Sequence, residues 1–208
     1  MMGFFRGKAR HCEERINVAD DSHNTQETVG PYTDTHPHNE QRSFMSLGCI
    51  DIPYVEGMEL VPAMDDQRRF HSVSVVIANL CVELALFAAP RSDGLWKRSF
   101  DTLTKDAKEK GFDTFSLTGH WGKELLIRPR KSDGNMPYRF VGIEGPGWLL
   151  RATYFGAAAE SDKEREMLDA VVSHIVVHRG GDAKPPGELI YLTLPAALEE
   201  KVFEQITQ

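Results

Sequence analysis

The stretch from residue 112 to residue 155 most constrains the fold. It carries β-type segments at 112–118, 124–130, 138–144 and 148–155. The breaks between them are Gly119-His-Trp-Gly122, Lys131-Ser-Asp-Gly-Asn-Met-Pro137 and Gly145-Pro-Gly147, all rich in turn residues. A parallel crossover needs about a dozen residues or more. These neighbours are therefore expected to pair antiparallel.

An earlier pair reads the same way. Residues 71–78 and 81–88 flank a break at Asn79-Leu80 and are expected to form two antiparallel strands joined by a tight turn. The rival is one buried helix, and the β-branched Val73, Val75, Val76 and Ile77 argue against it.

Helical spacing appears in three places. Trp96, Phe100, Leu103 and Ala107 form one apolar stripe, predicting a helix over 94–110 capped by Ser92 or Asp93 and ended by Gly111. Ser161-Asp-Lys-Glu164 is a capping box opening a helix with the stripe Met167, Leu168, Val171 and Val172. Pro195 suits the first turn of a last helix, after extended pieces at 175–177 and 189–194. The order is strands, helix, strands, helix, short strands, helix. The expected class is α+β: a single antiparallel sheet with helices packed against it.

Residues 1–40 are polar and poor in aliphatic side chains, which predicts a disordered tail with a short helix near 9–18. Residues 41–208 are expected to form a single domain, and a chain of 208 residues can bury a sizeable core. The net charge of −7 weighs against broad binding to nucleic acid or anionic membrane. Cys12, Cys49 and Cys81 form no CxxC pair and read as reduced thiols of a cytoplasmic protein. The longest apolar stretch, 73–89, holds Asn79 and Glu83 and is too short to span a membrane.

Chemical motifs are sparse. His36-Pro-His38 with Asp34 and His23 offers metal-ligand residue types, but on a segment expected to lack the fixed geometry a site needs. Gly119-His-Trp-Gly-Lys123 fails as a phosphate loop, because Leu117 stands where a glycine is required and Glu124 where a hydroxyl is. Gly145-Pro-Gly147 lacks the third glycine of a dinucleotide fingerprint. No Gly-x-Ser-x-Gly or His-Glu-x-x-His occurs. Cys81 beside His71 reads as an inert core thiol rather than a nucleophile. No cofactor, metal site or catalytic residue is expected.

Two motifs stand out: Phe87-Ala-Ala-Pro-Arg-Ser-Asp-Gly-Leu-Trp96 and Arg139-Phe-Val-Gly-Ile-Glu-Gly-Pro-Gly-Trp-Leu-Leu-Arg151. With Gly30-Pro-Tyr, Gly122-Lys-Glu-Leu125, Val176-Val-His-Arg-Gly180 and Leu192-Thr-Leu-Pro195, they resemble an actinobacterial domain-of-unknown-function family, number 3710, over residues 30–195. The family's pattern has an arginine where this chain has Gly147, and an aspartate where it has Glu144. The resemblance implies a lineage and a fold, and no activity. The strand–helix order also resembles, faintly, the fold of the photosystem oxygen-evolving subunit P family.

The candidate site residues are Arg91, Arg139, Glu144, Trp148 and Arg151. Arg91 follows a proline at a strand-to-helix junction, where a helix N-terminus favours anions. Arg139 and Arg151 lie on adjoining strands. If Gly145 pairs with Gly147 they share a face; if Pro146 and Gly147 form the turn they lie on opposite faces. Because type II turns match hairpin twist poorly, the first register is expected. Trp148 is either a core residue or a partner-binding anchor. The function these residues suggest is a non-catalytic binding or scaffold domain for a protein or a small anionic ligand. An enzyme with a pocket near Glu144 and His71 is the alternative, and a nucleic-acid-binding accessory protein is a third reading.

Overall fold

The computed structural model describes residues 30–33, 42–91, 94–130 and 134–207. Strands β1 (Tyr32–Thr33), β2 (Phe44–Ser46), β3 (Ile50–Pro53), β4 (Glu59–Met64), β5 (Phe70–Ile77) and β6 (Leu80–Ala88) precede helix α1 (Leu95–Glu109). Then come β7 (Asp113–Gly119), β8 (Gly122–Arg128), β9 (Tyr138–Gly145) and β10 (Trp148–Phe155). Helices α2 (Ala157–Glu160) and α3 (Asp162–Val172), strands β11 (Val176–Val177) and β12 (Leu189–Ile190), and helix α4 (Ala196–Thr207) complete the chain.

The main sheet runs β4-β5-β6-β10-β9-β8-β7, with β12 added to β6. Every pair in it is antiparallel, as the short links require for the neighbours in sequence and as also holds for the distant pairs β6–β10 and β6–β12. A smaller sheet, β1-β11-β3-β2, accompanies it and contains one parallel pair, β1 with β11. Tyr32 and Thr33, which composition assigned to the tail, thus belong to a sheet. The rest of that predicted tail, with its histidines and its short helix, lies outside the described residues. Among the described residues no helix is long and apolar enough to cross a membrane.

The main sheet has helices on both faces. On one, α2 and α3 cover β6, β9 and β10, and the larger core forms there around Leu84, Leu86, Val141, Leu150, Leu168 and Val172. On the other, α1 lies over β7, β8 and β9, and the second core joins Trp96 and Phe100 to Leu125, Ile127 and Leu149. The predicted α1 stripe is the buried one. Gly111, at φ 75°, ends the helix with bonds from its own N–H to Lys108 and from the Phe112 N–H to Ala107, a Schellman motif. In α3 the inward stripe is Arg165, Leu168, Val171 and Val172, whereas Met167 is exposed. The prediction took the larger apolar side chain; the structure turns a charged one inward.

The β5–β6 turn is Ala78-Asn79, both at positive φ, the arrangement that matches strand twist. The β9–β10 turn corrects the expected register. Trp148 pairs with Gly145, so Pro146 and Gly147 are the turn residues, with Gly147 at φ 79°. Arg151 then faces Gly142 and Arg139 faces Tyr154, which puts the two arginines on opposite faces of the sheet. The turn-type preference is overridden by packing. In this register Trp148 lies over its cross-strand partner Gly145, and Trp96 from α1 lies over Gly142. A Cβ at either glycine would overlap an indole ring.

Gly142→Ala is accordingly expected to cost about 1–3 kcal/mol, the usual penalty of forcing extra volume into a packed core. Urea unfolding measures it. A midpoint equal to that of the unaltered chain would mean that Trp96 does not need its glycine seat.

Candidate functional site

The structure separates the five candidate residues. Arg91 is exposed in the loop between β6 and α1. Trp148 is a core residue, 2% exposed, and its indole N–H has no hydrogen-bond partner among the described residues. Glu144 acts as the cap of α1. Its Oε1 accepts from the backbone N–H groups of Gly94 (3.2 Å) and Trp96 (3.1 Å). The residue at the N-cap position, Gly94, has no side chain to do this; Ser92 and Asp93 lie outside the described residues. Glu144 and His71 are three strands apart in the order β5-β6-β10-β9.

Arg139 enters a buried charge network that sequence reasoning missed. Glu124, fully buried on β8, accepts from the Arg139 Nε at 2.6 Å. It also accepts from both terminal nitrogens of Arg165, at 3.1 and 3.3 Å. Asp162 takes the remaining Arg139 nitrogen at 2.8 Å, and Asp169 lies 3.1 Å from the Arg165 Nε. The Tyr154 hydroxyl donates to Asp169 at 2.6 Å. Three carboxylates answer two guanidinium groups, so Arg139 is committed to the fold. Gly119 is part of the same arrangement, since a Cβ there would overlap the Glu124 carboxylate.

Arg151 sits on the other face in a different environment. Its guanidinium lies between two rings diagonal to it on the neighbouring strands, 5.0 Å from Phe87 and 5.7 Å from Phe140. Such stacking orients the cation without neutralising it. Its Nε is buried without a hydrogen-bond partner. Burial pulls its pKa downward against the opposing pull of Glu83, and an arginine stays charged in a protein. Thr153 Oγ1, on the same face of β10, is also buried and unpartnered. So is Ser72 Oγ on β5, which alternation places on that face as well, because Ser74 faces Glu83 and Glu83 faces Thr153.

Arg151 opens into a cleft of about 290 Å³ between the flank of α1 and strands β6 and β10. From α1 come Leu95, Arg98, Ser99, Thr102 and Leu103; from the sheet come Phe87, Leu149 and Arg151. The α1 residues recur at i, i+3, i+4, i+7 and i+8, a second helical stripe beside the core stripe. That spacing was readable in the sequence, but its mixture of arginine, hydroxyl and leucine looks like a solvated edge until the sheet beneath is known. Arg98 is exposed at the rim. Among the described residues neither guanidinium of this cleft is in an ion pair or hydrogen bond with another side chain. The arrangement can hold a small molecule with a negative group and an apolar body.

A family described as "Protein of unknown function (DUF3710)" matches residues 30–201. No curated protein matches the chain. Among solved structures, one from Bacteroides thetaiotaomicron VPI-5482 is similar at 10% identity and a TM-score of 0.43. That match covers 78% of this chain and 56% of the other, so the chain spans little more than half of that relative. The solution structure of cyanobacterial PsbP (CyanoP) from Synechocystis sp. PCC 6803 is similar at 11% identity and a TM-score of 0.37, covering 72% of this chain and 98% of the other.

Two measurements probe the charged network. Glu124→Gln leaves two buried guanidinium groups facing each other and is expected to lower stability by about 3–5 kcal/mol. In a double-mutant cycle with Arg165→Met the two losses should not add; strict additivity would mean that the pair is uncoupled. The second is pH dependence. Burial, then Asp169, holds the Tyr154 hydroxyl well above its ordinary value of 10.0. Above that value the unfolded chain has lost the proton while the native chain keeps it, so stability falls as pH rises. Tyr154→Phe should flatten this decline by up to about 1.4 kcal/mol per pH unit. An unchanged slope would mean that Tyr154 ionises normally in the native state.

Proposed function

We propose that this chain, which belongs to the DUF3710 family of proteins of unknown function, is a non-catalytic binding domain. Its ligand site is the cleft between α1, β6 and β10, and its ligand is a small molecule with one anionic group. The single observation that carries this reading is Arg151: a half-buried cation, flanked by two rings, that is in no ion pair among the described residues. The other inward arginines show the contrast, since Arg139 and Arg165 have carboxylates within bonding distance. The Nε itself is closed off from the cleft; a ligand would meet the rest of the guanidinium, which no carboxylate among the described residues pairs, and an anion there accounts for its presence. A reducing cytoplasmic compartment fits the free thiols of Cys49 and Cys81.

Arg151→Met separates binding from structure. Methionine keeps the unbranched stem out to the position of Nε and removes the charged end. If Arg151 serves a ligand, the variant should be as stable as the unaltered chain or more so, because an unpaired cation in an apolar site is replaced by an apolar group. It should also lose the binding of naphthalene-1-sulfonate, a small aromatic anion, read by saturation-transfer NMR on the full chain. A loss of stability beyond about 1 kcal/mol, the scale of a typical structural hydrogen bond, would make Arg151 a structural residue and end the proposal. So would unaltered binding of the probe.

A further inference from the structure

The cleft also indicates which anion it takes, an inference that rests on the binding reading above. Phosphate groups are commonly held by the free N–H groups at a helix N-terminus. At α1 two of those groups are taken: Glu144 Oε1 occupies the N–H groups of Gly94 and Trp96. A carboxylate built into the fold therefore stands where a phosphate would go, and its charge repels a second anion there. The cations that line the first cleft are side chains on the flank, Arg151 on the floor and Arg98 at the rim. With Glu83 near Arg151 on the same face, the local balance suits one negative charge better than two.

The rest of the cleft is apolar. Phe87, Leu95, Leu103 and Leu149 line it beside the hydroxyls of Ser99 and Thr102. A second cleft of about 150 Å³ adjoins it at Leu103 and continues along α1 past Ile127, Tyr138 and Phe140, with Asp106 and Lys110 of α1 also lining it. Phe140 is also one of the two rings against Arg151. The trough therefore starts beside the cation and runs away from it along the helix, apolar on its sheet side and bordered on the helix side by the opposite charges of Asp106 and Lys110. A guanidinium fork matches the two oxygens of a carboxylate. A volume at the small end of the ligand-pocket range excludes bulky ligands.

We infer that the α1 cleft binds an amphipathic monocarboxylate, its head group on Arg151 and its hydrocarbon body along the trough past Leu103 toward Tyr138. Medium-chain fatty acids and arylalkanoic acids have this chemistry.

Calorimetric titration of the full chain with hexanoate, octanoate and decanoate tests the inference, with octyl phosphate, octanol and octylamine as comparison probes. Saturable binding of the carboxylates is expected, tightening by roughly three- to four-fold per methylene until the trough is filled. Octanol and octylamine should bind at least tenfold more weakly than octanoate. Arg151→Met should weaken octanoate at least tenfold, and Arg98→Gln by less. Leu103→Trp, which fills the junction of the two clefts, should remove the gain with chain length while leaving hexanoate bound. Octyl phosphate binding more tightly than octanoate, with the same dependence on Arg151, would overturn the carboxylate assignment and leave the binding reading standing. Octanol binding as tightly as octanoate would overturn the role of the head group. If none of these probes binds, and naphthalene-1-sulfonate does not bind either, both readings fall together.

Discussion

The contact of Glu144 with the first turn of α1 is the constraint on which the rest of this architecture depends. A helix that begins at a glycine has no side chain of its own to satisfy its first N–H groups. Glu144 reaches across from β9 and satisfies two of them. Trp96, one of the two residues so held, places its ring over Gly142 and gives its indole N–H to the Lys123 carbonyl at 2.7 Å. The start of the helix is thereby fixed in position and in rotation. The two prominent sequence motifs are two halves of this one contact: the first supplies the helix start, the second the carboxylate and the glycine seat.

Fixing the helix there leaves a flank. With α1 over β7, β8 and β9, the β10 and β6 side of the same face is only partly covered. Side chains on it lie against the edge of a helix and not beneath it. That geometry produces the cleft and explains why Arg151 is desolvated without being enclosed. The opposite face has no such flank near Arg139. There Asp162, Arg165 and Asp169 from α3 close over Glu124 and Arg139, and a charge can be buried because its partners are buried with it. A two-residue turn at Pro146-Gly147 decides which arginine goes to which face. One residue more or less in that turn would exchange every side chain of β10 between the two environments.

The parts of this fold that were legible in the sequence are those set by local rules. Links too short to cross over imply antiparallel pairing, and the stripe from Trp96 to Ala107 and the cap at Ser161 mark their helices correctly. What was not legible depends on contacts distant in sequence. The hairpin register followed from seating Trp148 on Gly145, which outweighs the turn-type preference used to choose it. The inward face of α3 was misread at Met167 because Arg165 is drawn in by Glu124, 41 positions away. Glu144 was read as a ligand- or partner-binding residue, and the structure uses it as the anion at the helix start. Of the candidate site residues only Arg151 lies in the cleft; Arg98, Ser99 and Thr102 were passed over because a polar helical stripe looks like surface until something packs beside it.

The two roles of carboxylates in this chain bear on each other. Glu124 and Glu144 both neutralise positive potential that would otherwise attract an anion, one at a pair of arginines and the other at a helix N-terminus. Each closes a position where a general anion site could have formed. The cations lining the α1 cleft, Arg151 and Arg98, are in no ion pair among the described residues and flank the same trough. A protein with net charge −7 has little long-range attraction for anions. On the proposed binding reading, recognition at this cleft comes from short-range contacts, in which a hydrocarbon body contributes burial and one guanidinium contributes direction. Selectivity for an amphipathic acid over a simple anion follows from that division, because neither part of the cleft is sufficient alone.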